Sequence, residues 1–142
     1  MDIERRRKLV DKIKSTSWKS GQHPGPTVTL EEFFEGNDDS GRIGCNLVPT
    51  PSPAEFYRIL NGIRSRNDVQ DVLVEIRDME DTEGIWPFSD TVFVLTSAAP
   101  QELAKWLKPL SPDEVGQFPP EHVPKDLPVP DPGMSVFGAW WD

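Results

Sequence analysis

Residues 68–107 read DVQDVLVEIRDMEDTEGIWPFSDTVFVLTSAAPQELAKWL, and the reading of this stretch decides the fold. In 69–77, Val72, Val74 and Ile76 fall on one face, while Asp71, Glu75 and Arg77 fall on the other. That period of two predicts a strand with one face on a core and one in solvent. The segment 91–96, TVFVLT, is more continuously apolar and is expected at the centre of the sheet. Pro100 opens a helix with Leu103, Trp106 and Leu107 turned inward, and Pro109 ends it. The acidic loop 78–89 joins the two strands.

Upstream, Ser52-Pro53-Ala54-Glu55 combines a cap, a proline at the first helical position and an early glutamate. Phe56, Ile59, Leu60 and Ile63 follow at helical spacing, predicting a helix over 53–65. Residues 42–48 alternate Ile43, Cys45 and Leu47 on one side and predict a strand that Gly44 weakens. In that setting Cys45 reads as a small buried hydrophobe. Asn37-Asp38-Asp39-Ser40-Gly41 marks a turn. Thr29-Leu30-Glu31-Glu32 is a capping box that starts a short helix with Leu30, Phe33 and Phe34 inward. Residues 3–15 carry a narrow apolar stripe of Ile3, Leu9, Val10 and Ile13 and predict a further helix. The glycines and prolines of 18–27 predict a loop.

Downstream, Ser111-Pro112-Asp113-Glu114 predicts one short helical turn. Six prolines between 119 and 132 exclude regular helix or central strand there, so the chain is expected to run extended over the surface. Residues 134–142 turn apolar again and predict a final edge strand. The order strand, helix, strand, strand, helix, with a possible last strand, resembles the split βαβ arrangement of ferredoxin-like domains. The expected architecture is α+β: an antiparallel or mixed sheet with helices on one face. It forms one domain over 1–142, with N-terminal helices in 1–36, a core in 41–117 and a proline-rich tail in 118–142 packed on that core.

The 142-residue length fits one domain. At 36% hydrophobic and 27% charged residues the composition is that of an ordinary globular protein, so no covalent staple is required. One cysteine cannot make an internal disulfide, and a reducing, cytoplasmic compartment is expected. No run of about 18 apolar residues occurs, so no membrane span is expected. The net charge is −9, with seven Lys/Arg against three Asp/Glu in residues 1–19 and eight against twenty-one in the rest. An acidic body repels phosphate backbones, which argues against nucleic acid as a partner.

The loop Asp78-Met79-Glu80-Asp81-Thr82-Glu83-Gly84 invites a calcium reading. A calcium loop needs glycine sixth and an acid twelfth. With Gly84 sixth, Met79 would be the first ligand; with Asp78 first, Glu83 is sixth and Ser89 twelfth. Both registers fail, and no metal or cofactor is expected. Cys45 is a nucleophile only if His23 or His122 folds beside it. Pairs among Glu55, Asp78, Glu83 and Asp90 can serve as acid and base, but their spacing is invisible in sequence. What remains is a recognition surface: Asp78, Glu80, Asp81 and Glu83 as an acidic rim, with Trp86 and Phe88 as apolar anchors. The alternative placement of Trp86 and Phe88 is over the sheet end, closing the core. The leading expectation is therefore a non-enzymatic protein-binding module with an acidic face for a basic protein partner, of a regulatory or toxin-neutralising type. The alternative is a small enzyme or ligand-binding protein with a pocket between sheet and tail. A homodimer through the edge strand or tail is a third possibility.

Overall fold

Local signals start the helices. A computed structural model describes residues 1–82 and 84–142. Asp2 caps α1 (Ile3–Lys14) by accepting the Arg5 N–H. Thr29 and Glu32 form the expected capping box on α2 (Leu30–Phe34). Ser52 caps α3 (Pro53–Arg64), with proline in the first turn. The fourth helix, α4 (Pro100–Leu107), also opens on proline and ends in a 3-10 turn at Lys108–Leu110.

The strands are β1 (Thr27–Thr29), β2 (Val69–Glu75), β3 (Thr91–Thr96), β4 (Glu114–Gly116) and β5 (Ser135–Trp140). They form one antiparallel sheet in the order β1-β2-β3-β5-β4. The protein is thus α+β, with β3 central as its continuous apolar run requires. On one face Val28, Val72, Val74, Val92, Val94, Phe137 and Ala139 are buried. They join Leu30, Phe33, Phe56, Leu60, Leu103 and Leu107 from the helices in a single core.

Several expectations are corrected. Residues 42–48 form a loop, not a strand. Gly44 there has φ of +67° and the Phe56 ring lies where its Cβ would be, so extended pairing is lost and only glycine fits. Ile43 still reaches the core, whereas Cys45 is exposed, not buried. The helical turn expected after Ser111 is instead β4, and the last strand, β5, runs inside the sheet between β3 and β4. The strand that precedes the α2–α3 region is β1, a three-residue segment just before the capping box.

A further correction concerns the other face of β2. It is not open to solvent: Leu73, Glu75, Phe93 and Leu95 on this side are all buried. The proline-rich segment covers it. Phe118 packs edge-on against Phe93, with ring centres 5.7 Å apart. Asp126 accepts hydrogen bonds from Thr27 N–H at 2.9 Å and Thr27 Oγ1 at 3.1 Å. Gln70 donates to the Val129 carbonyl and accepts from Asp131 N–H. The segment therefore crosses the sheet to the β1 side and returns as β5. The sheet is a middle layer between helices and an extended strap.

Candidate functional site

Antiparallel register lays one row of residues across the strapped face: Thr27, Glu75, Thr91, Trp140 and Glu114, contributed in turn by β1, β2, β3, β5 and β4. Thr91, Trp140 and Glu114 form the floor of a cleft of about 260 Å³. His23 and Arg77 stand at one side. The strap adds Phe118, Pro119 and His122 to the lining, with His122 next to His23. Sheet and tail thus bring together two histidines that lie 99 residues apart in the chain. Their ring centres are 4.7 Å apart with the planes tilted by 37°.

The loop carrying His23 is held to the sheet by its backbone. Pro26 accepts the Ile76 N–H at 2.8 Å, and Gly25 donates to Glu75 Oε2 at 2.8 Å. A Cβ on Gly25 would lie 1.9 Å from the Ile76 carbonyl oxygen, so the close approach admits only glycine.

Glu75 is completely buried, and its Oε1 has no hydrogen-bond partner among the described residues. Burial raises its pKa from 4.5 to about 7, with Asp90 and Asp126 pushing the same way, against the pull of the Gly25 N–H and Arg77. His23 Nδ1 lies 3.4 Å from Glu75 Oε2. Burial also lowers the His23 pKa, helped by Arg77 and His122 and opposed by Asp90. An ion pair would shift the two in the opposite senses. The contact is therefore between a carboxyl and an imidazole that both favour their neutral forms. Arg77 donates to His23 Nδ1, which puts the proton of the neutral ring on Nε2. The Arg77 Nε also sits 3.3 Å from Asp90 Oδ1.

The acidic loop has a different character. Trp86 is fully buried within the core, so it is not an exposed anchor; the alternative placement, closing the core, is the observed one. Phe88 is half-buried, with the Arg42 guanidinium 6.0 Å from its ring centre. Asp78, Glu80 and Asp81 are exposed, and Glu83 lies outside the described residues. Asp78 accepts a hydrogen bond from Ser20, and Asp81 pairs with Lys14 at 2.6 Å. Beneath them the buried Arg6 donates to the backbone carbonyls of Ile85 at 2.7 Å, Thr82 at 2.7 Å and Glu80 at 3.1 Å. Arg6 thus pins the loop to α1. Hydrogen bonds from a charged donor are each worth about 1.5–3 kcal/mol. Arg6→Met is expected to lower unfolding free energy by about 2–3 kcal/mol and to speed amide exchange across 80–85. Unchanged exchange there would show that the loop is held by other contacts.

Among the described residues no group of three or more His, Cys, Asp or Glu side chains has the geometry to hold a metal ion. No described helix is long and apolar enough to cross a membrane.

Residues 4–139 match the family described as Uncharacterized protein YfbO. The chain belongs to the YfbO family. It is 40% identical over 123 residues to the Uncharacterized protein YfbO of Escherichia coli (strain K12), an alignment covering 84% of each chain. No solved structure matches it. The matched span includes His23, Arg77, Thr91, Glu114, Phe118, Pro119 and His122 of the cleft described above, and Trp140 lies just past its end.

Sequence reading missed His23, Glu75 and His122 as one group. The histidines stand in proline-bearing loops without motif spacing, and Glu75 occupies the polar phase of an alternating strand. The signal that joins them is the register of five strands, and that exists only after folding.

Proposed function

We propose that this YfbO-family chain binds a small molecule in the cleft between sheet and strap and exchanges a proton with it through His23. The observation that carries this reading is the seating of fully buried Glu75 against the His23 ring that lines the cleft. A concave site with apolar walls and a few converging polar groups is the usual form of a ligand pocket. Titratable neighbours displaced from their ordinary pKa values, as Glu75 and His23 are, are common where proton transfer is the task.

The proton path follows from the tautomer. His23 Nε2–H is given to the ligand. Nδ1, released by Arg77, takes the proton of Glu75. The ring stays neutral, the ligand gains one proton, and Glu75 becomes a carboxylate that Arg77 is placed to balance. The 3.4 Å separation is longer than a hydrogen bond, as catalytic contacts commonly are before a ligand closes them.

The test is ligand screening of the full chain with small organic acids, amines and amino acids, read by two-dimensional NMR and Trp140 fluorescence. Ligands that perturb Thr91, Trp140 and His122 together are expected, and His23→Ala should weaken them at least tenfold. A screen whose hits fall elsewhere, or bind His23→Ala as well as the parent, sinks the reading.

The acidic loop keeps a second reading in play, because Asp78, Glu80, Asp81 and half-buried Phe88 are at the surface. In it the chain is a non-enzymatic module whose rim engages a basic protein partner, with acidic residues steering encounter. Capture of one stoichiometric basic protein that is lost on Glu80→Lys plus Asp81→Lys supports it; capture unaffected by those changes removes the rim from the interface.

A further inference from the structure

The cleft is chemically asymmetric along its length. The β2 end carries Arg77 and the imidazoles of His23 and His122. Arg77 uses Nη1 on His23 and Nε on Asp90, and its Nη2 makes no hydrogen bond among the described residues. The β4 end carries Glu114, whose exposed carboxylate has neither a hydrogen bond nor an ion pair among the described residues. Beside Glu114 on the floor stands Trp140, its partner across β4 and β5, while Phe118 lies farther along the wall over Gly138. A carboxylate next to an aromatic face is the arrangement that holds an ammonium group, through charge at one side and the ring quadrupole at the other. Guanidinium donors and imidazole N–H groups are the arrangement that holds a carboxylate or a similar anion. The register separates the two ends. Thr91 and Glu114 are two strand steps apart in the row Thr91, Trp140, Glu114, and with strands about 4.8 Å apart the floor between them is about 10 Å long.

We propose that the cleft selects a small zwitterion of amino-acid type, its anionic group toward Arg77 and the two histidines and its ammonium toward Glu114 and Trp140. This rests on the reading of the cleft as a ligand site and adds the class and direction of the ligand. The extended middle of such a molecule lies over Thr91 and Trp140. The volume of about 260 Å³ suits a free amino acid, an ω-amino acid or a similarly small compound.

Four six-carbon probes separate the terms: 6-aminohexanoate, hexanoate, hexylammonium and hexanamide, each titrated into the full chain by calorimetry and NMR. The zwitterion is expected to bind at least tenfold more tightly than any of the other three. Glu114→Gln, a surface change, is expected to reduce 6-aminohexanoate to the affinity of hexanoate. Arg77→Gln is expected to reduce it to that of hexylammonium. Equal binding of all four at Trp140, or a preference that survives Glu114→Gln, overturns the zwitterion and leaves the ligand site standing. If none of the four perturbs the cleft while other compounds in the wider screen do, the zwitterion also falls alone. If nothing perturbs the cleft, both readings fall.

Discussion

Trp86→Ala is expected to lower the unfolding free energy by about 3–5 kcal/mol, the cost of emptying a large aromatic site in a packed core. The side chain is fully buried in the same core cluster as Ile13, Val28 and Phe33. Its loss removes apolar area from the core and leaves a cavity the surrounding elements cannot fill. For a protein whose total stability lies in the usual range of about 5–15 kcal/mol, that is a large share. Urea denaturation measures it directly. Trp86→Phe is the informative companion. The indole Nε1 of Trp86 has no hydrogen-bond partner among the described residues, so phenylalanine keeps most of the packing and removes an unpaired buried donor. Its cost is expected to stay below about 1.5 kcal/mol. Glu80→Lys, on the exposed loop above, should change stability by no more than about 0.5 kcal/mol. A tryptophan acting as a surface anchor would give the opposite order: little change in stability for Trp86→Ala and a large loss of partner binding.

The contrast between Trp86 and its neighbours shows what the sequence can and cannot carry. Helix α3 and the capping box of α2 are local events, set by hydroxyl, proline and glutamate within four residues of one another. They are legible without any knowledge of the rest of the chain. The central strand β3 is legible because burial on both faces leaves a continuous apolar run. Residues 42–48 mislead because Ile43, Cys45 and Leu47 mimic a strand's alternation, while the deciding feature is a glycine with positive φ beneath the Phe56 ring. Alternation also misplaces Glu75. A polar residue in the outward phase of a strand reads as solvated, and only the returning strap turns that face into an interior. The cleft inherits the same blindness. His23, Glu75, His122 and Glu114 come from four separate segments, and none is near another in sequence in a way that signals shared chemistry. Their meeting depends on a proline-rich crossing that sequence patterns describe only as irregular.

Glu75 supplies the second large effect, and it is a dependence on pH. Its carboxyl has a pKa of about 7 in the folded chain against 4.5 for the ordinary group. Below pH 4.5 the carboxyl is protonated in both states and its contribution is fully favourable. Between 4.5 and 7 the unfolded chain has released the proton while the folded chain still holds it. Rising pH therefore favours unfolding across that window, and above 7 about 3 kcal/mol of stability has been lost. His23 tilts the other way. Its folded pKa lies below 6.5, so acid protonates the unfolded chain first and stability falls as the pH drops below that value. The parent protein shows the sum of two opposed slopes. Glu75→Gln isolates one of them, since a neutral amide can still accept the Gly25 N–H and needs no ionisation. The variant is expected to match the parent near pH 4.5 and to exceed it by about 3 kcal/mol at pH 8, measured by urea denaturation at each pH. Parallel curves would mean that the Gly25 N–H and Arg77 hold the carboxyl near its ordinary value against burial and the push of Asp90 and Asp126. The size of the gap also bears on the cleft. A carboxyl whose ionisation costs the fold this much at neutral pH is an expensive residue to keep in a core. It becomes intelligible if its proton is meant to leave through His23 when a ligand takes it, with Arg77 at hand to meet the charge that remains.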